Sequence, residues 1–299
     1  MLTVNARRIA ELLSFEVLVP ALRVAFAHGE RAAVTPQRHR HRIDHELDAS
    51  LLLGTAWTRN YLGVKVVTVF PRNLTGPLSA TYLLSCGRTG RPLAVFDGAA
   101  LSRRADFAVG ALAASYLARP DSRTLLVIGP DEVACAATKA YRTVLGIERV
   151  LVHGGAGGRV CGHPDGIVAE RCADLREAVR ESDVVVCVTV DAAESLRGAW
   201  LRSGTHVHLA GVPGQRTREA DAEVVGRSAV YVDSPTALAE SGELTRLRAD
   251  QLRGSLFDLC SGLARGRRAE GELTLFKSAG TAIADLAAAA LAHDVAAAG

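Results

Sequence analysis

Lys65, inside the apolar run Gly63-Val64-Lys65-Val66-Val67, is the first residue of this chain whose type and setting could do chemistry. Among 35 basic residues only Lys65, Lys139 and Lys277 are lysine, so arginine serves wherever a generic positive charge is wanted. Lysine differs in carrying a compact charge and an amine that can release its proton when desolvated. An unpaired ammonium inside an apolar strand is costly. Lys65 is therefore expected to have a partner: a substrate carboxylate, a group in proton transfer, or a structural counter-ion. Lys277 stays open between function and structure, and Lys139 reads as an exposed helix residue.

The second such place is Thr124-Leu125-Leu126-Val127-Ile128-Gly129-Pro130-Asp131-Glu132-Val133-Ala134. A buried strand runs into a glycine turn and a helix, the layout that seats a dinucleotide pyrophosphate on the helix N-terminus. Gly129, Asp131 and Val133 are the candidate cofactor contacts. Asp131 stands where a second glycine would let the backbone approach the phosphates. One reading has Asp131 capping the helix; the other has it facing two phosphates. Two like charges about 4 Å apart repel by roughly 4 kcal/mol at an effective dielectric near 20, or two to three decades in affinity. On this reasoning NAD(P) binding is disfavoured.

Composition excludes other classes. With 48% hydrophobic and 22% charged residues, the chain can bury a large core and reads as a soluble globular protein. A net charge of +3, with acids and bases interspersed, leaves no nucleic-acid footprint. Arg38-His39-Arg40-His41-Arg42 is the one basic cluster, either a solvated strand or loop face or an anion site. His39, His41, His45, His206 and His208 could act as acids or bases, though each alone reads as a surface or core histidine. Cys86, Cys135, Cys161, Cys172, Cys187 and Cys260 lack metal-ligand spacing and read as free thiols, so no metal is expected. Neither a signal peptide nor a membrane span is evident, which points to the cytoplasm and away from membranes.

These residues must be positioned by two kinds of element. Residues 6 to 29 read as one or two amphipathic helices, followed by strands over 50–58, 63–70, 79–85 and 93–97 joined by short turns, an antiparallel meander. A helix over 101–117 leads to the break Arg119-Pro120-Asp121-Ser122. Strands at 124–128, 149–153, 183–188, 206–210 and 229–232 then alternate with helices, which means a parallel sheet. A last helix over 280–297 is expected to return to the first domain. The expected fold is α/β: a Rossmann-type parallel-sheet domain over 119–279, and a strand-rich α+β substrate and dimerisation domain over 1–118 completed by 280–299.

The segments Gly63 to Val67 with Pro71-Arg72-Asn73, Thr89-Gly90-Arg91-Pro92-Leu93-Ala94 with Asp97-Gly98, Gly204-Thr205-His206-Val207, Val232-Asp233-Ser234, Glu240-Ser241-Gly242-Glu243-Leu244 and Thr274-Leu275-Phe276-Lys277-Ser278-Ala279-Gly280 onward to Asp285 resemble the ornithine cyclodeaminase and mu-crystallin family over nearly the whole chain. The resemblance implies NAD(P)-dependent chemistry at the alpha carbon of small amino acids or imines, a homodimer, and a substrate carboxylate held by Arg38 and Lys65. Three positions depart from the family. Its Thr-x-x-Arg-Thr carboxylate clamp falls on Ser102, Ala105 and Asp106, with Arg104 a substitute only if the helix shifts by a residue. Its catalytic aspartate falls on Pro213, which weighs against ring-forming deamination but not reduction. After His153 comes Gly154-Gly155-Ala156-Gly157-Gly158, without an acid for the adenosine ribose, and Arg159 could meet a 2'-phosphate. The expected function is a diverged enzyme acting on a small amino acid or its imine, with eroded nucleotide and catalytic motifs. The alternatives are a non-catalytic member binding a metabolite or partner protein, and an NAD(P)H-dependent imine reductase or amino-acid dehydrogenase.

Overall fold

The computed structural model describes residues 1–29, 33–44, 46–73, 76–155, 168–188, 195–211 and 218–298. His45, Ala156 to Arg159, Cys161 and Pro213 lie outside them. The chain divides into two compact units, Met1–Asp106 with Gly280–Gly299, and Phe107–Ala279.

In the first unit, strand β1 (Leu2–Val4) leads to helices α1 (Ala6–Leu12) and α2 (Phe15–His28). The Asn5 side chain accepts the Arg8 amide and starts α1. Phe15, Leu18, Val19, Leu22 and Phe26 recur at helical spacing and are the buried stripe of α2. Strands β2 (His39–Asp44), β3 (Ala49–Trp57), β4 (Tyr61–Val69), β5 (Leu78–Cys86) and β6 (Pro92–Asp97) follow. They form an antiparallel meander, with β1 added parallel to β6, in the order β1-β6-β5-β4-β3-β2. The tight turns have local causes. Thr58 Oγ1 accepts the amides of Asn60 and Tyr61 between β3 and β4, and Gly90 takes a left-handed φ of 70° between β5 and β6. The register places Gly54, Lys65 and Tyr82 in one row across β3, β4 and β5. That row faces the final helix, Ala282–Ala298, through the Lys65–Asp285 bond.

Helix α3 (Gly98–Leu117) follows β6 directly and starts a turn earlier than the sequence pattern indicates. The second unit continues through β7 (Thr124–Ile128), α4 (Asp131–Arg142), β8 (Arg149–His153), β9 (Glu170–Arg171), α5 (Leu175–Glu181), β10 (Val184–Cys187), β11 (His206–Leu209), α6 (Ala222–Arg227), β12 (Ala229–Val232), α7 (Ala237–Glu240), β13 (Leu252–Ser255), α8 (Leu256–Ser261) and β14 (Thr274–Lys277). The strands order as β13-β12-β14-β11-β10-β7-β8-β9, and every described pair is parallel. Strands such as Val184–Cys187 are buried at every residue, as a sheet covered on both faces requires. Asp174 and Asp221 cap α5 and α6 with their carboxylates, and Ser255 with Asp258 forms a capping box on α8. Strands β10 and β8 flank β7 on opposite sides, so the sheet reverses direction beside β7. The carboxyl ends of the strands at such a reversal are where ligands of open α/β sheets bind.

No described helix is long and apolar enough to cross a membrane. Among the described residues no cluster of His, Cys, Asp or Glu could hold a metal ion.

Candidate functional site

Lys65 sits mid-strand in β4, where its backbone is fixed from both sides by β3 and β5. Its Nζ donates to Asp285 Oδ2 at 2.6 Å and to Ser102 Oγ at 3.0 Å. Ser102 Oγ in turn donates to Asp285 Oδ1 at 2.8 Å. The three side chains form a closed ring of charge-assisted bonds that aims the ammonium. Asp285 is buried, and Lys65 keeps 21% of its side chain exposed. Lys65 and Asp285 line a small cavity with Arg38, Gly54, Ala56, Tyr82 and Ala282. Glycine and alanine at three of these positions leave the space beside the ammonium open. The Arg38 guanidinium donates to the Gly280 carbonyl at the start of the segment that carries the final helix. The structure thus brings Arg38 and Lys65 to one cavity with Asp285 and Tyr82, and Ser102 bonds Lys65 and Asp285.

Tyr82 is buried and, among the described residues, its hydroxyl has no hydrogen-bond partner. Burial, with Asp285 nearby, pushes its ionisation well above the ordinary tyrosine range. It therefore contacts this cavity as a neutral phenol.

Arg104 is placed elsewhere. Its Nε donates to the Leu13 carbonyl, and its guanidinium lies 4.2 Å from the centre of the Phe15 ring. Burial lowers its pKa, partly offset by Glu16. Helix α3 keeps the ungapped register, with Ala105 buried and Asp106 half-buried where the family carries its arginine and threonine. No one-residue shift delivers Arg104 to the cavity.

The second site is the turn after β7. A Cβ on Gly129 would lie 2.9 Å from the Val188 carbonyl and 3.5 Å from Val133 Cγ1, and a Cβ on Gly154 would lie 2.9 Å from the Gly129 carbonyl. Glycine is required where the ends of β7, β8 and β10 converge. This close-approach cradle fits a dinucleotide backbone, and α4 starts from it.

Asp131 does not cap that helix, contrary to the first reading of the sequence. The N-cap is Pro130, and Asp131 is the first helical residue. Its carboxylate is bonded instead by Arg171 Nη2, at 2.9 Å to Oδ1 and 3.1 Å to Oδ2. Arg171 Nη1 also donates to the Gly154 carbonyl. The start of α4 therefore carries an ion pair rather than a bare anion, and Arg171 offsets the repulsion that Asp131 alone would exert on a phosphate. Both partners remain more than a quarter exposed. Such a pair is worth at most about 1 kcal/mol, so it opens readily.

Lys277 belongs to a buried structural network. Its Nζ lies 3.1 Å from Glu219 Oε2 and 3.8 Å from Glu243 Oε2, all three residues being buried. Glu219 Oε2 accepts the Gly211 amide, and Glu243 Oε1 accepts the Glu219 amide. The network thereby fixes both flanks of residues 212–217. Lys139 is exposed on α4. His39 and His41 lie on the exposed strand β2, whereas His208 is buried between Tyr141 and Ser278.

The ornithine cyclodeaminase/mu-crystallin family profile matches residues 2–299. A delta(1)-pyrroline-2-carboxylate reductase of Paracoccus denitrificans is 36% identical over 282 residues, covering 86% of this chain and 89% of that one. One from Colwellia psychrerythraea is 31% identical over 313 residues, covering 97% of each chain. The structure of the Thermococcus litoralis delta(1)-pyrroline-2-carboxylate reductase in complex with NADH and L-proline superposes with a TM-score of 0.89 at 28% identity, over 99% of this chain and 98% of that one. The expectation of an eroded or non-catalytic scaffold finds no support in these matches. This chain belongs to the ornithine cyclodeaminase/mu-crystallin family.

Proposed function

We propose that this chain is an NAD(P)H-dependent reductase of small imino acids, of the pyrroline-2-carboxylate kind. The observation that carries the reading is the Lys65 ammonium, oriented by Asp285 and Ser102 and opening on a cavity that Arg38 shares. Reduction of a carbon–nitrogen double bond adds a hydride to carbon and a proton to nitrogen. The nicotinamide, when bound, supplies the hydride. Arg38 and Lys65 hold the substrate carboxylate. Lys65 Nζ would also donate the proton to the substrate nitrogen, its direction fixed by Ser102 and Asp285. Gly54, Ala56 and Ala282 keep side-chain bulk away from the ammonium. In the second unit, Gly129, Val133 and Gly154 would form the cradle that holds the dinucleotide, with Asp131 and Arg171 beside it. Relatives that are pyrroline-2-carboxylate reductases support this substrate class over ring-forming deamination.

The test is consumption of NADH or NADPH in the presence of delta(1)-pyrroline-2-carboxylate, or of a 2-oxo acid with an amine, followed by nicotinamide absorbance. Turnover that Lys65→Ala abolishes is expected. No turnover with either nucleotide at saturating imine would sink the proposal.

A further inference from the structure

We infer that Arg171 is a phosphate-binding residue of the nucleotide site, and that the Asp131 carboxylate stands in for the phosphate until a dinucleotide arrives. The inference rests on the reductase reading and names a residue that the glycine turn alone does not reveal. Arg171 ends the edge strand β9, and its guanidinium reaches across the end of β8 to the first turn of α4, bonding Gly154 and Asp131 with different nitrogens. It therefore joins the ends of three elements at the carboxyl edge of the sheet. Two further features keep the pair together at the end of β8. A Cβ on Gly155, whose φ is +81°, would fall 2.4 Å from Asp131 Oδ1 and 3.1 Å from Arg171 Nη1, so the pair fits only against a glycine. Glu170, the neighbouring acid on β9, bonds Arg149 at 2.9 Å and does not compete for Arg171.

The exchange follows from the chemistry of the fork. Carboxylate and phosphate both offer oxygens that a guanidinium binds through parallel N–H bonds. Asp131 already presents both its oxygens to one guanidinium nitrogen. An arriving phosphate takes over that nitrogen, Asp131 turns toward solvent, and Arg171 keeps the Gly154 carbonyl as its anchor. Asp131 becomes a competitor that sets how tightly the phosphate is held, without excluding it.

The experiment is calorimetric titration of the intact protein with NADH and with NADPH, on the native chain and on Arg171→Ala, Arg171→Lys and Asp131→Asn. Loss of a charge-assisted bond predicts that Arg171→Ala weakens binding by roughly tenfold to a hundredfold. Arg171→Lys should recover only part of that loss, since a point charge lacks the fork, and it carries the test should the alanine variant fail to fold. Asp131→Asn should tighten binding by removing the competitor. Equal losses for both nucleotides would place the guanidinium on the pyrophosphate, and a loss confined to NADPH would place it on the 2'-phosphate; either supports the inference. Native binding with Arg171→Ala within about twofold of it for both nucleotides would overturn the inference and leave the reductase reading standing. Absence of binding by the native chain and by Asp131→Asn alike would overturn both.

Discussion

Lys65 and Arg104 are both cations of the first unit with substrate roles expected from sequence, and their surroundings separate them. Lys65→Met removes the only ammonium of the cavity. We expect kcat/KM to fall at least about a hundredfold, with a lowered melting temperature because buried Asp285 loses its counter-charge. Arg104→Ala removes a hydrogen bond to the Leu13 carbonyl and a ring contact on Phe15. It should cost about 1–3 kcal/mol of stability and leave KM unchanged. Steady-state kinetics beside thermal melts check both variants, and a raised KM in Arg104→Ala would return that arginine to the substrate site. Sequence marked Lys65 because an ammonium in an apolar strand demands a partner. It did not name the partner, since Asp285 lies 220 positions away. Asp131 illustrates the same limit at shorter range: the anion is visible in the turn, but its counter-ion is 40 positions on.

Among elements, the row across β3, β4 and β5 depends on Gly63, two positions before Lys65 on the same face. A Cβ there would fall 1.9 Å from the Tyr82 hydroxyl and 3.1 Å from Leu286 Cδ1. Gly63→Ala should therefore destabilise the protein by about 1–3 kcal/mol through overpacking. Adding Tyr82→Leu should restore part of the loss, a coupling read from the melts of the two single variants and the double. The long strands were legible because β-branched runs are bounded by turn residues, and β7, β8 and β12 match the sequence reading residue for residue. Strands β9 and β13 were not. Both lie at the edges of their sheet, and Glu170-Arg171 and Leu252-Arg253-Gly254-Ser255 carry no apolar pattern because an edge has less to bury. The sequence pattern predicts helix α4 over 132–145; it starts one residue earlier, after a Pro130 cap that makes no side-chain bond, and ends three residues sooner, at Arg142.

Taken whole, the molecule should lose stability in mild acid. Burial holds the pKa of His208 down at about 3, helped by Lys277, and holds His206 well below its ordinary value of 6.5, helped by Arg267. The unfolded chain takes up both protons as pH falls through the ordinary histidine range, and the folded chain does not. Stability is therefore full above that range and declines below it by about 1 kcal/mol per histidine for each pH unit. Melts near neutrality and about one unit below pH 6.5 should show the drop, and His208→Gln should flatten part of it. Leu62, Val64 and Val66 alternate onto the sheet face of the first unit opposite Lys65 and remain partly exposed. The first unit also draws on both ends of the chain. At synthesis rates of about 5–20 residues per second, Lys65 waits roughly ten to forty seconds for Asp285 to be made. Throughout that interval a nascent chain carries the lysine of the cavity without its carboxylate.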